Sequence, residues 1–337
     1  MILICFGTRP EYIKIKPIIS RISGKIPFKL LFTGQHLDLL SNIEEQVIKL
    51  SINSGANRLD SIVTSILAND SVLNRSVLRE TDYVLVQGDT TSAFAVALAA
   101  FHKKIKIIHL EAGLRTYNKH EPYPEEFNRQ CISRMADIHL CPTETSALNL
   151  SNERVNGEKY VVGNTVLDNL KEIETKDDNK VVVTMHRREN HNNLDEWFWQ
   201  INELAKENKN LEFIIPLHPN PNVQKHAPLL KNLNVIEPLE YNDFIKLLAS
   251  STYVVTDSGG LQEEASFFRK PCLVCRKTTE RVEGLNNFSL LCESPAHLMY
   301  NFTQVQHLKM EGDCPYGDGN ASEKIENILR KLKWRKT

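Results

Sequence analysis

The chain has 337 residues, which at the usual ~150 residues per domain suggests about two domains. Hydrophobic residues make up 41% and charged residues 25%, an ordinary globular balance that excludes a disordered or fibrous chain. Lysine and arginine total 41 against 42 for aspartate and glutamate, so the basic surplus typical of nucleic-acid binders is missing. Apolar runs such as 93–101 are too short for the ~20 residues of a membrane span.

The cysteines and the first residues indicate a compartment. Seven cysteines are an odd number in a long chain, which argues against a disulfide framework. Residues 1–7 have no basic residues before their apolar run, and they resemble a buried strand more than a signal peptide. We therefore expect a cytoplasmic protein.

Apolar strands alternate with helices along the first half of the chain. Predicted strands cover residues 2–6, 28–33, 82–86, 105–110, 138–141 and 159–162. Helices are predicted to begin at 8–11, with Pro10 in the first turn, and to cover 92–101. The strands are continuous apolar runs, which is typical of a parallel sheet covered by helices on both faces.

A polar stretch without periodicity, residues 172–180, interrupts this pattern and marks the predicted linker. The pattern resumes with strands at 181–184, 211–216, 234–236, 253–256 and 271–274, and with helices at 243–249 and 261–268. The sequence thus predicts an α/β protein with domains at 1–170 and 171–337. Ligands of such sheets bind at the carboxyl ends of the strands, so the loops there are where chemistry is expected.

A small loop, residues 7–11, joins the first strand to the first helix. A helix N-terminus favours phosphate, Arg9 offers a forked cation, and Lys14 follows one turn later. A tight turn with an exposed arginine explains the same residues equally well. Neither of the glycine patterns typical of dinucleotide-binding or P-loop proteins is present, which weakens both of those interpretations.

A second loop of this kind, Ser258 to Gly260, precedes a helix that carries Glu263 and Glu264. Glycine lets a phosphate approach the backbone closely, and serine can cap the helix or donate a hydrogen bond. A carboxylate one turn further on can accept two hydrogen bonds from a ribose diol. An ordinary helix cap is the alternative, but together with Arg281 downstream the loop favours a nucleotide-diphosphate site.

Carboxylates follow neighbouring strands in the first half. Asp89 and Glu111 come at strand ends, and Glu125 with Glu126 is placed in the loop beyond. Carboxylates at one edge of a sheet face one cleft, which suits proton transfer at carbon. A solvated helix cap explains any single one of them, whereas the set favours a functional interpretation.

Histidines follow two strands of the second half. His186, with arginines beside it, can bind a diphosphate or protonate a leaving oxygen, and His218 is similarly placed. The alternative is a basic surface turn. His186 and His191 do not form the zinc pattern H-E-x-x-H, so no metal site is expected.

Cys272 and Cys275 form a C-x-x-C along a predicted strand, where residues three apart point to opposite faces. No second pair follows them. Buried structural thiols are therefore favoured over metal binding or redox chemistry.

Taken in order, these motifs resemble the non-hydrolysing UDP-N-acetylglucosamine 2-epimerases. The resemblance runs from the first loop nearly to the C-terminus, so it is far more specific than one glycine-rich loop. The matching segments are GTRPE (7–11), GDTT (88–91), EAGLRT (111–116), PEEFNR (124–129), PTET (142–145), GNT (163–165), HRREN (186–190), TDSGGLQEE (256–264), TTER (278–281) and PYGDG (315–319).

The resemblance implies a glycosyltransferase-B-like fold of two Rossmann-like domains with an interdomain cleft, a last helix over 321–332 that crosses back to the first domain, and a homodimer. It also implies a UDP-sugar substrate and no metal or other cofactor. The implied catalytic residues are Asp89, Glu111, Glu125, His186 and Lys14. The implied UDP-binding residues are Arg9, His186, His218, Phe244, Ser258, Gly259, Gly260, Glu264 and Arg281.

The resemblance further implies a reaction. UDP leaves C1 while a base removes the C2 proton, a 2-acetamidoglucal forms, and UDP adds back with protonation on the other face. Close alternatives are the same chemistry on a UDP-2-acetamido-2,6-dideoxyhexose and a retaining glycosyltransferase of the same fold. A non-catalytic nucleotide-sugar binder is disfavoured because every carboxylate position is intact.

One departure from the family concerns regulation. The family's allosteric substrate site contains Q-H-R, whereas this chain has QHLD at 35–38, and the following segment, 51–67, is shorter than usual. A leucine cannot pair with a phosphate, and an aspartate beside a dianion is repulsive. We therefore predict that the enzyme works without activation by its own substrate.

Overall fold

A computed structural model describes residues 1–35, 43, 46–50, 52, 57–68 and 80–334 of the chain. They form two compact units. Unit 1 comprises Met1–Asn169 with Gly319–Thr337, and unit 2 comprises Leu170–Asp318. Within the described ranges, no helix is long and apolar enough to span a bilayer.

Unit 1 is built on a parallel sheet. Its described strands are β1 (Ile2–Phe6), β2 (Phe28–Phe32), β3 (Val47–Lys49), β4 (Tyr83–Gln87), β5 (Lys106–Leu110), β6 (Ile138–Cys141) and β7 (Glu158–Val161), in the order β3-β2-β1-β4-β5-β6-β7. The helices are α1 (Arg9–Ile22), α2 (Arg58–Ala68), α3 (Thr91–His102), α4 (Glu125–Met135) and α5 (Glu144–Asn152). The sheet buries an apolar layer on each face, with α1 on one side and α2 and α3 on the other.

Unit 2 repeats this plan. Its described strands are β8 (Lys180–Thr184), β9 (Glu212–Pro216), β10 (Asn234–Ile236), β11 (Tyr253–Thr256), β12 (Cys272–Val274) and β13 (Ser289–Leu291), all parallel and in the order β10-β9-β8-β11-β12-β13. The helices are α6 (Leu194–Glu207), α7 (Pro221–Gln224), α8 (Tyr241–Ala249), α9 (Leu261–Phe267) and α10 (Leu298–Val305). Trp197 and Phe198 of α6 are fully buried against the sheet.

The last helix, α11 (Ala321–Arg330), belongs to unit 1. Ile325 and Leu329 join the apolar layer of α1. The backbone N–H groups of Ala321 and Ser322 donate to the carboxylate of Asp168, which caps the helix start. This capped and buried helix therefore completes one face of the unit 1 sheet.

The predicted α/β class with parallel sheets is confirmed, because apolar strands buried on both faces leave a strong signal. Strands 2–6, 138–141, 234–236 and 253–256 are found with the predicted bounds. The placement of Glu125 and Glu126 in a loop is wrong, since both residues begin α4. Acidic residues favour the first turn of a helix because its free N–H groups carry positive partial charge.

Candidate active site

The loops that carry the predicted site residues lie at one kind of position in each unit. The strand order reverses between β1 and β4 in unit 1 and between β8 and β11 in unit 2. At such a point the loops after the two central strands diverge and leave a crevice, which is where ligands of these sheets bind. The loops concerned begin at Gly7 and Gly88 in unit 1, and at Met185 and Asp257 in unit 2.

Glu11 organises the first loop of unit 1. Its Oε2 accepts hydrogen bonds from the backbone N–H groups of Gly7 (2.9 Å) and Thr8 (2.7 Å) and from the Thr8 hydroxyl (2.8 Å). Its Oε1 accepts from the hydroxyl of Thr90, in the loop after β4 (2.8 Å). Burial raises the pKa of this carboxyl group. Glu11 thus joins the two loops of the crevice.

Glu111 directly follows β5 and pairs with Lys14 of α1. The Lys14 Nζ lies 2.5 Å from Glu111 Oε2, and the Gln87 side-chain amide donates to the same oxygen. Glu111 has a φ of 65°, a left-handed backbone conformation that costs a non-glycine residue about 1–3 kcal/mol. Such strain is concentrated at functional sites, so the backbone supports the predicted role of this carboxylate.

Asp89, in the loop after β4, is held by Arg129 of α4. The Arg129 Nε and Nη2 lie 2.9 and 2.5 Å from Asp89 Oδ2. Neutral His109 donates to the carbonyl of Gly88 at 2.8 Å, and burial lowers the pKa of this imidazole to about 3. Asp89 therefore has a fixed place in the loop after β4.

Two further predicted residues of unit 1 differ in exposure. Arg9, the first residue of α1, is exposed, whereas Glu125, the first residue of α4, is half-buried. The neighbouring Glu126 is fully buried and accepts hydrogen bonds from the backbone of Thr116 and Tyr117 and from Arg129. Glu126 is thus a structural carboxylate.

Unit 2 contains a pocket of about 260 Å³ at its switch point. It is lined by Thr184, Met185, His186, Pro216, His218, Pro219, Pro238, Leu239, Tyr241, Phe244, Ser258, Leu261 and Glu264. The Tyr241 hydroxyl donates to Glu264 Oε1 at 2.9 Å and so fixes this carboxylate at the wall. Small-ligand pockets usually measure about 300–1,000 Å³, so this one fits part of a ligand, such as a base with its ribose.

The glycines of the second loop have different surroundings. A Cβ on Gly259 would lie 2.8 Å from Arg281 Nη1 and 2.9 Å from Glu280 Oε1. A Cβ on Gly260 would meet no atom of the described residues within 4 Å. Packing therefore explains glycine at 259, whereas at 260 the space outside the backbone is open to a ligand.

Arg281 lies beneath this loop in a cluster of buried charges. Its Nε lies 2.7 Å from Glu263 Oε1, it also pairs with Glu280, and its side chain is 6% exposed. The carbonyl of Arg281 accepts a hydrogen bond from the buried Tyr316 at 3.0 Å, and the backbone N–H of Gly284 donates to the same hydroxyl. Arg281 therefore supports the 258–260 loop from below, and the PYGDG motif fixes the turn that carries it.

The two histidines of unit 2 stack. The rings of His186 and His218 are 5.1 Å apart and inclined by 10°. Burial lowers the pKa of both imidazoles. The backbone N–H groups of His186 and Arg187 donate to the fully buried Asp257 at 2.9 and 2.8 Å. Both predicted histidines thus lie on the pocket wall.

Sequence reasoning missed several residues that build the site. Glu11, Gln87, Arg129, Tyr241 and Asp257 hold the predicted residues in place. The matching sequence motifs include three of them, Glu11, Arg129 and Asp257. The motifs did not show what these three residues do. Gln87 ends β4 and Tyr241 begins α8, and only the fold brings each to its partner.

The thiol interpretation is confirmed for Cys272 and Cys275. Both are buried and free, and burial raises the pKa of each thiol, which keeps it protonated and inert. The regulatory prediction is untested, because residues 36–38 and most of 51–56 lie outside the described residues.

The fold is shared with a distant protein. The crystal structure of MurG from Acinetobacter baumannii matches with a TM-score of 0.61 over 98% of this chain and 99% of that one, at 11% identity. With two parallel-sheet Rossmann-like units, this chain is thus a glycosyltransferase-B-like α/β protein, as predicted.

More similar proteins define the family. The family model for UDP-N-acetylglucosamine 2-epimerase matches residues 21–330. The UDP-N-acetylglucosamine 2-epimerase of Campylobacter jejuni is 41% identical, with 98% of each chain covered, and that of Neisseria meningitidis is 39% identical, with 98% of this chain and 99% of the relative covered.

A solved structure agrees with this assignment. UDP-GlcNAc 2-epimerase from Neisseria meningitidis bound to UDP-GlcNAc matches with a TM-score of 0.88 and 37% identity, over 98% of this chain and 100% of that chain. The chain belongs to the UDP-N-acetylglucosamine 2-epimerase family, and it is an isomerase.

Proposed function

We propose that this enzyme interconverts UDP-N-acetylglucosamine and UDP-N-acetylmannosamine without a metal ion or a nicotinamide cofactor. Family membership over nearly the whole chain supports this, as do the relatives of the same name at 41 and 39% identity. A relative crystallised with UDP-GlcNAc supports the choice of substrate.

The chemistry demands charged groups of both signs. The C2 proton of the sugar is not next to a carbonyl, so direct deprotonation is very unfavourable. In the proposed route the C1–O bond breaks, UDP carries away the electron pair, a base takes the C2 proton, and a C1=C2 double bond forms in 2-acetamidoglucal. UDP then adds back to C1 while an acid protonates C2 on the opposite face, which inverts that carbon.

The observation that carries the proposal is the set of held carboxylates at the switch point of unit 1. Glu111 is held by Lys14, and Asp89 is held by Arg129. Each carboxylate is thus held in place by a basic side chain, and a group that takes or returns a proton must lie at a fixed position beside the reacting carbon. We assign the acid and base roles on the sugar to Asp89, Glu111 and Glu125, and to Lys14 the positioning of Glu111.

Unit 2 supplies the contacts to UDP. The pocket takes the uracil and the ribose, with Phe244 at its wall and Glu264 accepting from the ribose hydroxyls. The open side of Gly260 and the N–H groups at the start of α9 suit a phosphate. Ser258, His186 and His218 line the pocket, and we assign them to the phosphates as well. Arg9 of unit 1 is assigned to the diphosphate, while Arg281 acts through the loop, with Gly259 above it.

Proton NMR of UDP-N-acetylglucosamine with the enzyme in heavy water tests the proposal directly. We expect signals of UDP-N-acetylmannosamine to appear, deuterium to enter C2 of both sugars, and activity to persist in EDTA. A parallel reaction with the UDP-2-acetamido-2,6-dideoxyhexose shows which of the two sugar nucleotides is converted faster. The proposal fails if no mannosamine product forms, or if EDTA abolishes the reaction.

A homodimer and a cytoplasmic location are further parts of the proposal. All seven cysteines are free, which supports a reducing compartment. Light scattering during size exclusion tests the dimer, for which we expect twice the chain mass of 38.5 kDa.

Activation is tested with pure UDP-N-acetylmannosamine. We expect the reverse reaction to begin at once, without added UDP-N-acetylglucosamine. A trace that stays flat until this sugar is added would show that the allosteric requirement is intact.

A further inference from the structure

Asp257 is a buried carboxylate that the reaction described above leaves without a role. It follows β11 and is fully inaccessible to solvent. Its Oδ2 accepts hydrogen bonds from the backbone N–H groups of His186 and Arg187 and from the side-chain amide of Asn190, at 2.9, 2.8 and 3.2 Å. Its Oδ1 has no hydrogen-bond partner among the described residues. A buried carboxylate oxygen without a donor is costly, so this one calls for an explanation.

The nearest candidate donor is the imidazole of His186. Its Nδ1 lies 3.7 Å from Asp257 Oδ1, slightly beyond hydrogen-bond distance, and a small rotation of the ring closes the gap. The His186 side chain is 35% exposed, and the residue lines the UDP pocket. A proton on Nδ1 would therefore face the buried carboxylate and leave Nε2 for the ligand.

The stacked partner of His186 is arranged differently. The backbone N–H of Asn220 donates to His218 Nδ1 at 3.1 Å, so this nitrogen acts as an acceptor and carries no proton. His218 is then a neutral ring with its proton on Nε2. Asp257 also raises the pKa of His218, but it is His186 whose Nδ1 lies 3.7 Å from Asp257 Oδ1.

We infer that Asp257 is a positioning residue that holds the proton of His186 on Nδ1 and stabilises the imidazolium formed when a diphosphate binds. The inference rests on the proposed function, because it makes His186 the cation that receives the charge of departing UDP. Charge that develops on a leaving group is stabilised most effectively by a donor already held in place.

The charges around His186 support this role. Burial is the main cause that lowers its pKa, and Arg187 and His191 on its own loop and His218 on the loop after β9 lower it further. Asp257 acts in the opposite direction and raises it. Without Asp257, a second proton on His186 would be less favourable.

The variant Asp257→Asn tests the inference, because its amide oxygen can keep the three contacts of Oδ2 while the charge is lost. The amide N–H would then donate to His186 Nδ1 and place the ring proton on Nε2. We expect UDP affinity at pH 6.5, measured by calorimetry, to fall by about tenfold to a hundredfold. UDP affinity should increase with falling pH in both proteins, but in Asp257→Asn the increase should occur at lower pH than in wild type. UDP itself titrates identically in the two experiments, so its contribution cancels in the comparison.

A double-mutant cycle with His186→Gln separates positioning from structural support. If Asp257 acts through His186, Asp257→Asn should have almost no further effect on UDP affinity in the His186→Gln background. An equal loss in both backgrounds would mean that Asp257 only supports the loop, and the inference would be wrong.

Nitrogen-15 NMR of the histidine rings gives a reading that needs neither the Asp257→Asn variant nor bound UDP. In the free wild-type enzyme the resonances lost in His186→Gln should show a proton on Nδ1, and those of His218 a proton on Nε2. A proton on Nε2 of His186 would overturn the inference. A wild-type enzyme that binds no UDP would instead refute the proposed function, while the tautomer would still decide the pairing.

Discussion

Both units join the two loops of their switch point through a buried carboxylate, but the carboxylates are used differently. Glu11 lies in the first turn of α1, which follows β1, and reaches Thr90 after β4, whereas Asp257 follows β11 and reaches His186 after β8. Both oxygens of Glu11 accept hydrogen bonds, while Asp257 Oδ1 accepts none within the described structure. Glu11, with hydrogen bonds to both oxygens, has a structural role. Asp257 has an oxygen still able to accept a hydrogen bond from a titratable ring, so it can take part in the reaction.

The surroundings of Glu11 and Asp257 also differ in charge. The loops of unit 1 gather Asp89 and Glu111, each beside a basic side chain. The loops of unit 2 gather two imidazoles and the N-terminus of α9. The strand order around both switch points is the same, so the division of chemistry follows from the side chains and not from the fold.

The largest effect is expected from the carboxylates of unit 1. Asp89→Asn, Glu111→Gln and Glu125→Gln should each lower turnover by ~10²-fold or more, because acid–base groups contribute roughly 10²–10⁴-fold. UDP affinity should stay unchanged, because these groups act on the sugar. Steady-state rates and UDP calorimetry on the same preparations make the test. Near-normal turnover in all three variants would reject the assignment, and acid–base chemistry would then no longer distinguish unit 1 from unit 2.

The sequence was sufficient for the parallel sheets, because strands buried on both faces form continuous apolar runs. It was insufficient for the short edge strands β3 and β13, which have three residues each, too few for a run or an alternation to be recognised. The carboxylates and histidines of the site were predicted because strand ends and motif order mark them.

The supporting contacts were beyond sequence reasoning because they join distant segments. Arg129 reaches Asp89 from forty positions away, and Arg281 is buried beneath a loop twenty residues before it. The expectation that Arg281 itself contacts UDP came from its place in a motif, which cannot tell a ligand contact from a buried support.

Arg281→Ala is expected to have the next largest effect, on folding as well as on binding. The substitution leaves Glu263 and Glu280 without a partner that both use, and breaking a buried ion pair costs about 3–5 kcal/mol. UDP affinity should also fall, because the loop above loses its support. Urea unfolding and UDP calorimetry measure the two losses, and the pocket variant His186→Ala, which removes no ion pair of this cluster, is the control for binding. A fully stable Arg281→Ala variant would show that this residue does not support the fold, and a loss of UDP affinity in that variant would then favour a direct contact with UDP.

The two glycines of the unit 2 loop provide a matched pair. Gly259→Ala brings a methyl group against Arg281 and Glu280 and should destabilise the fold by about 1–3 kcal/mol. Gly260→Ala meets no described atom and should leave stability within about 0.5 kcal/mol. It should still weaken UDP binding, because its methyl group occupies the space proposed for a phosphate. Unchanged UDP affinity in Gly260→Ala would show that no phosphate of UDP binds at this position.

Glu11→Gln should have the smallest effect and gives the sharpest contrast with Asp257→Asn. The amide oxygen can accept the three hydrogen bonds of Oε2, and the amide N–H can donate to the Thr90 hydroxyl. We therefore expect turnover within about threefold of wild type, a difference below ~1 kcal/mol in activation free energy. UDP affinity should be unchanged, whereas the matching substitution at Asp257 should weaken it.

The pH dependence of the free energy of unfolding tests the structural role of Glu11 independently. Burial raises the pKa of folded Glu11 above its unfolded value of about 4.3, so between the two pKa values the folded state binds more protons. The stability that this residue contributes is therefore fully present below pH ~4.3 and is lost as the pH rises through the folded pKa. Glutamine does not titrate, so urea unfolding should show wild type losing stability relative to Glu11→Gln as the pH rises above ~4.3 towards the folded pKa. If wild type gains stability as the pH rises instead, the hydrogen bonds to ionised Glu11 outweigh its burial, and the carboxylate is held in its charged form.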